Sequence, residues 1–243
     1  MKKVVLIALV LCLSQPGLAM AQDHGKGFYL KAGVGLVYGQ DEDGTIGDYI
    51  DPPDKVKFDF GNSVSYQVGI GYKVNNYITM ELSLQYNSEF DLEGPYINDG
   101  VPIDYRGKVD LETTSVMMSG LLDMATVLKN EFRRIDIKKD WKLRPYIGFG
   151  LGYARNKLGQ FTFIPDVEDN IAGNTESNFA WKATLGATYP IYKHFVFDAS
   201  YSYADYGEAK SSLSCNDGTS TLISPLTFDV KTHEFFLSVR YFF

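Results

Sequence analysis

In the segment HEFFLSVRYFF, residues 233–243, every second position is apolar. Phe235, Leu237, Val239, Tyr241 and Phe243 share one parity, and Glu234, Ser238 and Arg240 share the other. Successive side chains of a strand project to opposite faces, so the segment predicts a strand with one apolar and one mostly polar face. The same alternation recurs seven times. Residues 28–39 set Phe28, Leu30, Ala32, Val34, Leu36 and Tyr38 against Lys31, Gly33 and Gly35. Residues 63–74 set Val64, Tyr66, Val68, Ile70 and Tyr72 against Ser65, Gln67, Gly69 and Gly71, and 77–86 set Ile78, Met80, Leu82, Leu84 and Tyr86 against Thr79, Glu81, Ser83 and Gln85. The pattern returns in 144–154, 178–191 and 194–204. Residues 113–122 are the irregular member: Met117 and Leu121 fall opposite Val116, Met118 and Leu122, which predicts a bulge or a weakly exposed strand end.

Eight such strands of about ten residues, with Tyr, Phe and Trp near their ends, predict an all-β chain folded as an eight-stranded antiparallel transmembrane β-barrel, an up-and-down meander. Closing the sheet removes the unpaired edges that hydrocarbon does not tolerate. A soluble barrel would turn its apolar residues inward instead. Parity alone does not say which face is out, but glycine and small residues on the polar face favour a narrow interior.

The connections alternate in length. Residues 40–60, 87–108, 155–177 and 204–224 are long, while Asn75-Asn76 and Tyr192-Lys193 are tight turns, as expected of extracellular loops and periplasmic turns. The connection 123–142 breaks the rule, being periplasmic by position yet long. Met124, Val127, Leu128 and Phe132 keep helical spacing beside Arg133 and Arg134, so two readings stand: a short amphipathic helix, and extended strand ends.

The N-terminus adds export. Lys2 and Lys3, an apolar run from Val4 to Leu13 and the triplet Ala19, Met20, Ala21 read as a secretory signal over residues 1–21, with cleavage expected after Ala21 and the barrel domain over 22–243. The run is too short to span a bilayer as a helix. Cleavage removes two lysines and no acid, moving the net charge from −7 to −9, which speaks against nucleic acid as a partner. It also removes Cys12, leaving Cys215 without an intramolecular disulfide partner.

The signal segment together with PYIGFGLGYA, FAWKATLGATYPI, DASYSYADYG and the terminal LSVRYFF resembles the small outer-membrane β-barrel family that includes OmpA-like, OmpX-like and opacity-type surface proteins. The resemblance covers essentially the whole mature chain. It implies an integral protein of the Gram-negative outer membrane, in contact with membrane lipid and lipopolysaccharide. It also implies that Phe235, Leu237, Val239, Tyr241 and Phe243 form the signal read by the barrel-assembly machinery. The chain is expected to depart from OmpA by stopping at the barrel, which puts a wall-tethering role in doubt.

Several candidate chemistries can be weighed on their residues. In the first long connection Asp41 and Asp43 fit ligand positions of a calcium loop, but Gly39 and Ile50 stand where its first Asp and last Glu belong, so no metal site is assigned. That connection holds seven acids against Lys55 and Lys57 and reads as solvated. On the polar faces Lys31, Glu81, Lys182, Asp198, Glu234 and Arg240 balance in sign, which reads as a paired charge network filling a narrow lumen. The histidines are His24, His194 and His233, and His233 beside Glu234 is the best fragment of a catalytic arrangement; no catalytic residue or cofactor is assigned. The expectation is a surface antigen or adhesin whose long acidic connections carry recognition of host surface or matrix molecules, with a structural role in the envelope. A small solute channel and a lipid A-modifying enzyme are the alternatives from other classes.

Overall fold

The computed structural model describes residues 27–47, 54–98, 101–131, 142–164, 171–213 and 224–243. The signal segment, His24, Cys215 and all of 132–141 lie outside the described residues. Eleven strands and one described helix follow in chain order: β1 (Gly27–Gly39), β2 (Glu42–Gly47), β3 (Asp54–Phe60), β4 (Asn62–Lys73), β5 (Ile78–Asn98), β6 (Val101–Asp123), α1 (Met124–Glu131), β7 (Arg144–Leu158), β8 (Thr162–Ile164), β9 (Thr175–Tyr192), β10 (Phe195–Lys210) and β11 (Ser224–Phe242). Eight of them, β1, β4, β5, β6, β7, β9, β10 and β11, form an antiparallel ring. The ring closes between β1 and β11, from Tyr29 opposite Phe242 to Gly39 opposite Thr232.

At one end the chain reverses in short turns. Asn75 sets the first of these, its Oδ1 accepting the backbone N–H groups of Tyr77 and Ile78, both at 2.8 Å. The other tight turn is Lys193-His194, one residue later than the sequence places it. Of the two readings of 123–142, the helix holds over α1. Asp123 caps it, accepting the N–H of Thr126 at 2.9 Å, and Arg144 Nε donates to the same carboxylate at 2.8 Å.

At the other end the ring keeps rising. β5 and β6 run 21 and 23 residues, and the β2–β3 hairpin continues the wall above the shorter β1 and β4, β3 pairing with β5 and β2 with β11. β8 adds to β6. Much of what the sequence reads as long loops is therefore strand. The physical reason lies in polarity: in this upper part the buried face is apolar and the outer face is charged.

Outward apolar side chains mark the lower, membrane-spanning part: Leu82, Met118 and Leu237 are each more than half exposed. In the upper part Phe90, Leu92, Leu111, Tyr206, Leu226 and Val230 are all 0% exposed and pack with Val109, Leu158, Phe161, Ile171 and Phe228 into one core inside the wall. Burying each large apolar side chain stabilises by roughly 1.5–3 kcal/mol, so the extension has a folding incentive of its own.

Two strands switch parity to achieve this. In β5 the inward residues are Glu81, Ser83, Gln85 and Asn87, then Phe90 and Leu92, with a register shift between Asn87 and Phe90. In β10 they are Asp198, Ser202, Ala204 and Tyr206, then Ala209, with a shift between Asp205 and Glu208. Gly207 supplies the bend at φ 71°, and its N–H donates to Asp205 Oδ1 at 2.9 Å. β6 from Val109 and β11 from Leu226 keep one parity and simply change composition, as in Leu226, Phe228 and Val230 followed by Thr232 and Glu234.

The irregular fourth predicted strand contains no bulge. Its pairing with β7 is continuous from Leu111 to Asp123, and Met117 and Leu121 point into the lumen. Glycines across the ladder make the room: a Cβ on Gly152 would stand 2.7 Å from Met117 Sδ, and one on Gly148 would stand 2.6 Å from Leu121 Cδ2.

Candidate functional site

Two regions hold the candidate chemistry: the lumen at membrane height and the charged wall above it. The six lumen charges are all buried, and they fall into two groups. In the lower group Lys31 Nζ donates to Glu81 Oε1 at 3.1 Å and Tyr29 OH to Glu81 Oε2 at 2.7 Å. Arg240 lies against Asp198 and, at 4.0 Å, Glu81, while Tyr146 OH reaches both Asp198 oxygens at 3.2 Å. The guanidinium sits over the Tyr29 and Tyr146 rings at 5.0 and 5.2 Å, adding cation–π attraction in a buried site.

The upper group is organised by Gln85. Its Nε2 donates to Glu234 Oε1 at 2.8 Å and its Oε1 accepts from Lys182 Nζ at 3.3 Å. Tyr206 OH also donates to Glu234, and Thr232 Oγ1 lies 3.3 Å from the same oxygen. Among the described residues Glu234 Oε2 has no hydrogen-bond partner. Tyr29, Tyr146, Tyr206, Gln85 and Thr232 thus belong to the network, although the sequence analysis assigned none of them. Their parity was the available signal. A void of about 20 Å³ lies among Lys31, Glu81, Tyr146, Lys182 and Ser202, room for about one water.

The odd-numbered terminal row faces outward, while Phe236 is buried and the Phe242 ring lies 5.0 Å from that of buried Tyr29. Phe235, Leu237, Val239 and Phe243 are exposed, and Tyr241 packs its ring 5.1 Å from Phe195 and 5.4 Å from Phe243. The His233–Glu234 fragment is divided by the strand's own alternation: Glu234 enters the lumen, while His233 Nδ1 meets Tyr201 OH on the outer wall at 2.8 Å. His194 Nδ1 lies 2.9 Å from the Phe242 carbonyl at the tight-turn end.

On the upper wall the outer positions carry charge. Asp91 and Asp110 stand directly across the β5–β6 ladder, both exposed, with Lys108 at 3.9 Å from Asp91. Glu112–Lys157, Glu208–Lys210 and Asp229–Lys231 pair at 3.3, 2.8 and 2.8 Å. The hydrogen bond and charge of Glu208 hold the Lys210 ammonium above the ordinary lysine pKa. Such exposed pairs contribute little to stability, so the charges of this wall do not hold it together.

The family described as outer membrane protein beta-barrel domain matches residues 5–243. The chain belongs to that family. It is an integral protein of the outer membrane, and by the topology of such barrels its tight turns and α1 face the periplasm and its extended end faces out. It is 26% identical over 220 residues to outer membrane protein PagN of Salmonella typhimurium, spanning 87% of this chain and 83% of that relative. Among solved structures it resembles the outer membrane protein OprG of Pseudomonas aeruginosa, at 14% identity and a TM-score of 0.55, covering 90% of this chain and 96% of that one. It also resembles Neisserial surface protein A, at 14% identity and a TM-score of 0.52, covering 90% and 100%. These two likenesses agree with the eight-stranded ring.

Proposed function

We propose that this outer-membrane barrel is a display scaffold: a surface antigen or adhesin whose binding surface is the charged extracellular wall, with a structural contribution to the envelope. The observation that carries it is the buried apolar core of the extension, from Phe90 and Leu92 to Leu226 and Phe228. A chain that continues its barrel beyond the membrane around a core of its own invests in holding an outer surface in fixed shape. The lumen below is filled by paired side chains around a one-water void, which supports a scaffold over a solute channel. No reaction is part of this reading.

In the same reading residues 1–21 export the chain, with cleavage after Ala21, and the outward terminal row Phe235, Leu237, Val239, Tyr241 and Phe243 is presented to the barrel-assembly machinery. The partners are outer-membrane lipid and lipopolysaccharide, and host surface or matrix molecules.

The test compares cells displaying the intact protein with cells displaying one whose β5–β6 and β10–β11 extensions are cut back to tight turns. Adhesion to host cells and matrix proteins is scored at matched surface amounts. Loss of adhesion on trimming is expected. Adhesion that survives trimming, or is absent from both strains, overturns the display reading, and steady conductance of the purified protein in a planar bilayer would replace it with the channel.

A further inference from the structure

Where β6, β7 and β9 leave the membrane, the outward side chains form three successive levels. Val116, Tyr153 and Phe179 are the last apolar level, Thr114, Arg155 and Ser177 the next, and Glu112, Lys157 and Thr175 the third. Tyr153 is 71% exposed, more than any other large apolar side chain among the described residues, and its ring meets Phe179 edge-on at 6.4 Å. Among the described residues nothing covers this pair.

The cations at this height differ in their partners. Lys157 is held by Glu112 at 3.3 Å, Lys231 by Asp229 at 2.8 Å and Lys108 lies 3.9 Å from Asp91. Arg155 is exposed and, among the described residues, has no carboxylate within ion-pair distance. On a wall rich in carboxylates, an arginine left without one is open to an anion from outside the chain. Its neighbours across both ladders, Thr114 and Ser177, are exposed hydroxyl donors at the same level.

The level itself specifies the anion. Arg155 stands one step above the aromatic edge of the apolar band, where the phosphate of a membrane lipid lies when its acyl chains run along the wall below. The guanidinium fork suits phosphate in bidentate geometry, and the exposed Tyr153–Phe179 pair offers a face to the sugar and upper chains. Because this end of the barrel faces out, the leaflet in question is the lipopolysaccharide one. We infer that Arg155, flanked by Thr114 and Ser177 and seated on Tyr153 and Phe179, is a binding site for a phosphate of lipid A. The site stands independently of the display reading, since it serves the barrel's place in the membrane.

The test uses the whole purified barrel in detergent, with bound lipid counted by native mass spectrometry against added bisphosphorylated lipid A. Arg155→Gln should lower the bound fraction roughly tenfold, the loss of a charge-assisted bidentate contact. Arg155→Lys should fall between the two, and Lys157→Ala, which removes a cation already paired, should change little. Lipid A stripped of phosphate should bind wild type and Arg155→Gln alike. Equal occupancy in wild type and Arg155→Gln overturns the site, as does equal loss in Lys157→Ala, which would reduce it to general charge attraction. Displacement of lipid A by equimolar phosphatidylglycerol would also overturn it, by showing a generic headgroup contact. The slower mobility on heating in detergent gels confirms that each variant is a folded barrel.

Discussion

The membrane-spanning barrel and its extracellular extension are one continuous sheet built with opposite polarity. Below, apolar side chains face out and Glu81, Asp198, Arg240 and Glu234 are buried; above, Phe90, Leu92, Leu111 and Phe228 are buried and Asp91 and Asp110 face out. The solvent reverses along the wall, from hydrocarbon to water, and the sequence reverses with it. Two bulges, at Ser88-Glu89 and around Gly207, let β5 and β10 exchange faces without breaking the ladder. The lower part is held by paired charges that hydrocarbon cannot reach, and the upper part by the hydrophobic effect.

Removing one charge from the lower network should have the largest effect. Arg240→Met leaves Asp198 without its cation in a buried lumen, while Glu81 keeps Lys31, and loss of one partner of a buried pair costs about 3–5 kcal/mol; urea unfolding of the lipid-reconstituted barrel would register it. Leu92→Ala in the upper core should cost about 2–5 kcal/mol, but locally. Limited proteolysis should then cut the extension while the membrane part keeps its folded mobility on gels, and concerted loss of both would show that the two regions are not separable. Gly207→Val sharpens the same point at a hinge between them, since its Cβ would stand 2.5 Å from Asn178 Cβ at a φ that β-branched residues avoid. A cost of about 1–3 kcal/mol is expected, read as protease sensitivity near β10. The smallest effect belongs to Lys157→Ala, whose pair with the Glu112 side chain is exposed and should change stability by no more than about 1 kcal/mol.

Most of the lower region was legible in the sequence, because Phe235, Leu237, Val239 and their counterparts alternate without interruption. Met117 and Leu121 looked like an error in that alternation. Their explanation, the facing Gly152 and Gly148, is a cross-strand relation that no single segment displays. The extension was hidden for a different reason. FDLEG and KVDLE alternate as cleanly as any membrane strand, yet their partners are acids, and acids mixed with short apolar runs read as loop when only an apolar outer face is sought. The parity of β5 also changes at Ser88-Glu89, so a search holding one phase loses the strand there. The charges of the lumen were found by parity, whereas the tyrosines that tie them together were not, because Tyr29, Tyr146 and Tyr206 are apolar in composition and polar only at the hydroxyl.

The most direct test of this account is amide hydrogen exchange on the lipid-embedded protein, comparing 78–87 of β5 with the stretch just above, Phe90 to Leu92, and its partner Val109 to Leu111. A folded extension predicts slow exchange in both stretches, with the upper one opening first on mild denaturation. Exchange of Phe90, Leu92, Val109 and Leu111 at the rate of an unstructured loop would contradict it and return the upper wall to a set of mobile connections.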